Sequence, residues 1–500
     1  MMVCELLGAR MIAPFYGTTL FVWSTVIGVT LTALAIGYFL GGYFADRYTK
    51  NILLFSVLSI GSVFIALMPN LAKFSLEATS GMGIRTGSLV ASLIFLLPPS
   101  VCLGTTSPII IRLASRDVQH TGRIAGTVFA VSTISGIITT FLLGFYVIPT
   151  WGITMPAYFS AIIMGVFPLV YFIRNRKFEL AILMIVLFSV PAFASILENN
   201  TQSLSDWKIL YKSDGLLGQV IVGDIQLKIK DTLYHQRTLF VNRQPETNVN
   251  GESGFSMWPY IHTMAEIASI KPKGSKTLIL GLGAGSLSDE FLRLGFKVDG
   301  CELDERIVKV ARTFFRFNPR CNVIVDDARH FVRMSREKYD IIAFDVFNGE
   351  QPPAYMLSTE NFLEIRRILK NDGLLIINFD GFLKGEAGLA SRSILRTMIY
   401  SGFHIKVTAT PGEEAIRNLI FVGSPEPLDF SKMTRERQNI CCNVPIPLPF
   451  LNESSLDLSD ALVLTDDKPI IDLLTLYACE SWRELAIKQF SEAFVGYPVF

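Results

Sequence analysis

The stretch "LILGLGAGSLSDEF", residues 278–291, decides the fold. An apolar run of strand length enters a turn with glycines at 281, 283 and 285, and a helical pattern follows at once. Glycine tolerates positive φ and lets a ligand approach the backbone at a helix N-terminus. Turns of this kind hold nucleotides and S-adenosyl compounds alike, so the strands around this one must decide between them.

Downstream the same alternation repeats. Strand "TLILGLG" and helix "SLSDEFLRLG" are followed by strand "KVDGCELD" and helix "ERIVKVARTFFRF". Strand "NVIVDDA", helix "RHFVRMS", strand "YDIIAFDVF" and helix "TENFLEIRRILK" come next, then strand "GLLIINF" and a final pair, "HIKVTAT" and "NLIFVGS". Strands alternating with helices predict an α/β domain over 251–500, a doubly wound, mostly parallel, Rossmann-like sheet. Ligands of such sheets bind at the carboxyl ends of the strands. Upstream, "GQVIVGDIQLKIK" and "TLYHQRTLFVN" alternate apolar and polar residues, which predicts a small antiparallel β unit over 205–250. A helical stretch, "MWPYIHTMAEIASI", leads from it to the glycine turn.

Acids at successive strand ends sharpen the reading. Glu302 lies 17 residues beyond Gly285, where a carboxylate can accept both hydroxyls of a ribose, while Asp304 suits the cap of the next helix. In "VDDA" we choose Asp327 over Asp326 to accept a hydrogen bond from an adenine amino group. Asp345 stands at the mouth of the fourth strand, where a reacting group would sit. The helix after it starts near Ser358 or Thr359, too late for Asp345 to be its cap. His262 reads as a core histidine.

The first 200 residues differ in kind. Segments 11–45, 51–72, 86–111 and 124–173 contain no charged residue. A membrane span needs about 20 apolar residues, so the last segment holds two spans, hinged at "IPTWG" (148–152), where Pro149 and Gly152 are expected to break the helix. The 18 residues 180–197 offer a further, shorter span, and "MMVCELLGARMIAPFYG" reads as the tail of a helix that begins earlier. A multi-pass helical membrane domain over 1–200 is the expectation. The small residues of "GYFLGGYFADR" (37–47) permit close helix packing. Loops carrying Arg47 and Lys50, then Arg112, Arg116 and Arg123, then Arg174, Arg176 and Lys177 are expected on the cytoplasmic side. If 180–197 crosses fully, the remainder lies outside the cell; if it is re-entrant or interfacial, the remainder is cytoplasmic. We place the remainder on the cytoplasmic face.

Composition closes off other classes. A formal net charge of +1 gives no reason to expect a nucleic-acid partner. The seven cysteines form no CxxC pair and no metal-ligand spacing, so neither a disulfide framework nor a metal is implied.

With these motifs in place, the chain resembles the spermidine synthase (polyamine aminopropyltransferase) family, on the S-adenosyl-binding fold of class I methyltransferases. It is most similar to a membrane-fused branch in which a multi-span domain precedes the synthase-like one. "APFYGTTLFVW", "GYFLGGYFADR", "GQVIV", "GLGAGSL", "CELD", "DDAR", "FDVFNGEQPPAYMLSTENF" and "LVLTDDKP" carry the likeness. The resemblance implies a multi-pass membrane enzyme without a permanently bound cofactor. It would move an aminopropyl group from decarboxylated S-adenosylmethionine to putrescine or a similar amine, and a homodimer is compatible with it. By match, Gln219 resembles a donor-contacting glutamine, Glu302 the ribose acid, Asp327 the adenine acid, and Asp345 the aspartate that orients and deprotonates the amine. Tyr260 falls where the family contacts its acceptor. Two departures stand out. Ala284 replaces the aspartate of the soluble members' GGGDG turn, and Asn348 replaces their second acid after the catalytic one. Asp466, in the "TDD" at 465–467, is expected to supply the missing charge if that segment folds over the site. Two other readings keep the same residues: a membrane-tethered methyltransferase using S-adenosylmethionine itself, and a polyamine transporter or sensor with an adenosyl-binding domain.

Overall fold

The computed structural model describes residues 1–480 except 18, 49, 116–120, 200–206, 216, 230–231, 348–351, 415–416, 428, 431–449, 453, 455 and 479. The chain divides into two compact units, chiefly Met1–Ser205 and Val220–Phe490, with Ser213–Gln219 grouped with the first.

The first unit is helical, as continuous apolar sequence with few helix breakers requires. Helix α1 spans Met2–Tyr16, α2 Leu20–Arg47, α3 Asn51–Ala78, α4 Ile84–Phe95 and α5 Leu97–Ala114. Four of the described helices are long and apolar enough to cross a membrane, and α4 with α5, bent by 52°, makes up to five. The single straight span expected over 86–111 is therefore broken. The break falls at Leu96, two residues before Pro98 and Pro99 of α5, and proline cannot continue a helix without losing a backbone donor.

The hinge at 148–152 also differs from expectation. Helix α6 (Thr121–Leu142) passes through a π-helical segment, Leu143–Val147, into α7 (Ile148–Trp151). Pro149 is absorbed there, because the π turn rearranges the hydrogen bonds that proline would break. The break itself is at Gly152 (φ 72°), after which α8 runs Thr154–Arg174 and α9 Phe178–Asn199. Small residues do bring helices together: a Cβ on Gly37 would lie 2.6 Å from the Val101 carbonyl oxygen of α5, and one on Gly41 2.6 Å from that of Thr105.

Strands β1 (Trp207–Gly215), β2 (Gly218–Ile229), β3 (Thr232–Val241) and β4 (Gln244–Asn250) form an antiparallel sheet in sequential order. The β3–β4 turn is the pair Asn242 and Arg243, both at positive φ, the backbone that tight hairpins prefer.

After α10 (Pro259–Ala268) comes an eight-stranded sheet of order β12-β10-β11-β9-β8-β5-β6-β7. Strands β5 (Lys276–Leu280), β6 (Lys297–Glu302), β7 (Asn322–Val325), β8 (Tyr339–Phe344) and β9 (Leu369–Asp380) run parallel. Strands β10 (His404–Ala409), β11 (Asn418–Ser424) and the short β12 (Leu451–Asn452) add an antiparallel edge. The central strands read as unbroken apolar runs because both faces are covered. Leu278, Leu280, Ile342, Phe344 and Ile377 pack on one face, and Ile279, Ile341, Ala343 and Ile376 on the other. The chain leaves β5 in one direction towards β6 and β7, then returns to lay β8 and β9 on the other side. That reversal is a topological switch point, the place where such sheets leave a crevice for ligand.

Candidate active site

The glycine turn after β5 is built for close approach. Gly281, Gly283 and Gly285 have φ of 84°, 52° and 92°. A Cβ on Gly281 would overlap the Asp345 carbonyl oxygen, so glycine is what allows the ends of β5 and β8 to meet. Gly285 caps α11 (Ser286–Arg293) in left-handed conformation. Thr247 on β4 reaches the turn: its Oγ1 accepts from the Ala284 amide at 3.1 Å.

Glu302 ends β6 with its carboxylate folded onto this turn. Oε2 accepts from the Leu282 and Gly283 amides at 3.1 and 3.3 Å, and Oε1 from the Asp304 amide at 3.0 Å. Burial raises its carboxyl pKa, against the pull of those three donors. Asp304 accepts from the Arg306 amide and caps α12 (Glu305–Phe314), the role expected for it. Asp327 caps α13 (Ala328–Met334) by accepting from the Arg329 and His330 amides, while its Oδ2 accepts from the Tyr355 hydroxyl at 3.0 Å. Tyr355 carried no signal in the sequence beyond its place in the Pro-rich loop.

Asp345 follows β8, its amide donating to the Leu280 carbonyl at 2.8 Å. Its Oδ2 accepts from the Tyr260 hydroxyl at 3.1 Å, and its Oδ1 from Asn378 Nδ2 at 2.8 Å. Burial pushes the Asp345 carboxyl up to about 6, against the stabilising pull of those two donors. Tyr260, on α10, is raised well above its ordinary value by burial and then by the negative charge of Asp345, Glu246 and Asp380. An acid poised near neutrality, bonded by two neutral donors at a strand mouth, can take up a proton and orient a cation.

Three further residues were expected at the site: Gln219, Asn348 and Asp466. Gln219 is buried on β2 and its Nε2 donates to Asp214 Oδ1 at 2.9 Å. Asn348 lies outside the described residues. Asp466 is not a spare acid: Arg329 Nη1 and Nη2 meet its two oxygens at 2.7 and 2.5 Å, and this pairing holds its carboxyl below the usual range. The expectation that it serves an amine is corrected accordingly, since the guanidinium already neutralises it. His262 is 8% exposed with Nε2 2.9 Å from the Ser256 carbonyl oxygen, a satisfied core histidine. Two acids at the site went unread in the sequence. Asp380 ends β9, where the rule that marked the other strand ends also applied. Glu246 sits in β4, where nothing in the sequence signalled it. Among the described residues no His, Cys, Asp and Glu group is arranged to hold a metal ion.

Residues 258–385 match the spermine/spermidine synthase domain. That stretch holds Tyr260, the glycine turn, Glu302, Asp327, Asp345 and Asp380. Among relatives, a polyamine aminopropyltransferase of Vibrio vulnificus is 31% identical over 128 residues, 24% of this chain and 43% of that protein. The chain thus spans less than half the length of that relative. Polyamine aminopropyltransferase 2 of Aquifex aeolicus is 23% identical over 494 residues, 94% of each chain. A probable spermidine synthase from Corynebacterium glutamicum, known from its crystal structure, gives a TM-score of 0.42 at 21% identity, covering 52% of this chain and 95% of that one.

Proposed function

We propose that the synthase domain is an aminopropyltransferase, moving the aminopropyl group of decarboxylated S-adenosylmethionine to putrescine or a similar aliphatic amine. The observation that carries this reading is Asp345: a half-buried carboxylate, bonded to Tyr260 and Asn378, at the switch point beside the glycine turn. An aliphatic amine has a pKa of about 10 and is protonated near neutrality, when its nitrogen has no free lone pair. Asp345 orients the ammonium and accepts one of its protons. The freed lone pair then attacks the propyl carbon next to the sulfonium. The new C–N bond forms as the C–S bond breaks, and that electron pair stays on sulfur as a neutral thioether. Glu302 suits the ribose through lone pairs left by its three backbone donors, and Asp327 the adenine through Oδ2 if Tyr355 yields that position. Gln219 is proposed as a further donor contact.

The helical unit, by length and composition, is proposed to hold the enzyme in a bilayer, with the synthase domain on the cytoplasmic face where the donor is made. Ala284 supports a second reading, a methyltransferase using S-adenosylmethionine, because no carboxylate in the turn repels that donor's own carboxylate. Incubating the purified full chain with each donor and putrescine, then weighing the products, separates the two. Spermidine formed from the decarboxylated donor is the expected result; a methylated amine formed from the ordinary donor would overturn it.

A further inference from the structure

Helix α1 is short but central to the helical unit. It packs against α2, α3, α4, α6 and α8, and Met11–Tyr16 are all buried, as are Cys4, Leu7, Gly8 and Ala9. Its end is level with the end of α3: the Tyr16 hydroxyl meets the carbonyl and Oγ1 of Thr79, the latter at 2.8 Å, and Thr79 caps α3. A Cβ on Gly8 would lie 3.4 Å from Met68 of α3, so the two helices run alongside each other. Glu5 stands about 17 Å before Tyr16 along the axis, and α3, with 28 residues, is about 42 Å long. Glu5 therefore lies beside the middle of α3, well inside a hydrocarbon core of about 30 Å.

The break between α4 and α5 falls at nearly the same depth. Leu96 lies against Gly8, one turn from Glu5 on the neighbouring ridge of α1. Pro98 and Pro99 have no N–H, so the carbonyls of Ile94 and Phe95 lose the donors that a continuous helix would give them. Ser100, one turn beyond the break, is fully buried and its hydroxyl has no partner. Among the described residues no lysine, arginine or histidine pairs with Glu5. Arg10 is five residues on, about 140° away around the helix, and forms no ion pair of its own. The α-ammonium of Met1 acts on Glu5 from the end of the same helix without pairing with it. A carboxylate at this depth is costly and marks a path or a bound partner, and broken helices supply backbone oxygens to cations near the middle of a bilayer.

We propose that the helical unit binds the ammonium group of an aliphatic amine at Glu5, beside the α4–α5 break, as the midway site of a path for amines across the bilayer. An ammonium brings one positive charge and three N–H donors. The charge meets the Glu5 carboxylate, and the remaining donors meet neutral carbonyl and hydroxyl oxygens. Amines are the cations that the synthase domain is proposed to handle, so the inference rests on the aminopropyl-transfer and bilayer readings above. The helical unit then does more than anchor the enzyme: it moves the enzyme's acceptor or product through the membrane that holds it.

The test is uptake of radiolabelled 1,4-diaminobutane into liposomes carrying the purified full chain, with flotation to show insertion. Wild type is expected to take up the amine faster than protein-free liposomes, and tetramethylammonium, which has no N–H, is expected not to compete. Glu5→Gln should slow uptake about 10- to 100-fold, the effect of losing one charge-assisted hydrogen bond, while aminopropyl transfer in the same liposomes stays at the wild-type rate. Glu5→Asp, which keeps the charge, should retain part of the uptake and so separates lost charge from misfolding. Uptake that Glu5→Gln leaves unchanged, an inserted wild type that carries no amine, or uptake of sodium in place of amine would overturn the inference and leave the enzyme reading standing. A chain that does not float with the liposomes would sink the bilayer reading and the path together. Amine uptake without aminopropylated product would instead sink the reaction alone.

Discussion

Asp345 works as a base only when ionised, and burial places its carboxyl at about 6. The kcat/KM for amine is therefore expected to climb as the pH rises through about 6 and then to level off. Asp345→Asn should lose that limb and reduce kcat by roughly 10²- to 10⁴-fold, the usual weight of one positioned acid or base. Binding of the nucleoside product should change little, and calorimetry beside a pH–rate profile checks both. A normal profile in the variant would remove Asp345 from the chemistry. The neighbouring acid gives a stability prediction with a definite sign. Asp380 is raised to about 7 by burial and then by Asp345, so the folded state holds its proton more firmly than the unfolded chain does. The stability this contributes is fully present below the ordinary carboxyl range and is lost as the pH rises through about 7. Without amine, Asp380→Asn should gain on wild type in melting temperature between pH 5 and pH 8, at roughly 2–4 °C per kcal/mol of relieved charge. Added diamine should shrink the gap. A gap that does not depend on pH would mean that Asp380 never carries its charge unpaired.

Elements explain why these residues meet. Gly281→Ala would drive a methyl group into the Asp345 carbonyl at a φ of 84°, a strain of about 1–3 kcal/mol. The expected outcome is a lower melting temperature together with lower kcat, because relief of the clash moves Asp345. Unchanged kinetics in a folded variant would show that the turn does not position the base. The Arg329–Asp466 pair behaves differently. It is partly exposed, so Asp466→Asn should cost less than about 1 kcal/mol and leave the KM for amine nearly unmoved. A large rise in KM would restore Asp466 to the site. These cases also show what a one-dimensional reading can reach. The strand–helix alternation, the glycine turn and the caps at Asp304 and Ser358 were legible because each depends on residues a few positions apart. The fate of Asp466 was not, since its partner is 137 residues away. Nor was Glu246, whose aim depends on a register shift between β3 and β4. Pro149 misled for a different, local reason: a π turn just before it changes what a proline costs a helix.

At the scale of the whole molecule, the order of helices and the positions of basic residues constrain the proposed topology together. If α4 and α5 form one bent crossing, successive spans place Arg47 and Lys50, Arg112 and Arg123, and Arg174, Arg176 and Lys177 all on one side. If the pair were re-entrant, the middle and last groups would both fall opposite Arg47 and Lys50, dividing the basic loops between the two sides, against the bias that orients membrane proteins. The single bent crossing is therefore the arrangement proposed, with its basic side in the cytoplasm. Helix α9 then decides where the synthase domain works. Its 22 residues could reach about 33 Å, roughly the thickness of a hydrocarbon core, and a full crossing would carry the catalytic acids outside. The proposed cytosolic donor calls for the contrary arrangement, and we propose that α9 lies in the interface or turns back. Fusions that report sidedness, a phosphatase active only outside and a fluorescent protein that matures inside, can be placed in the loop after α3 and at the C-terminus. The expected pattern is phosphatase activity from the loop and fluorescence from the C-terminus. Phosphatase activity from the C-terminal fusion would mean that α9 spans, and the enzyme would then have to draw its donor from the other side of the membrane.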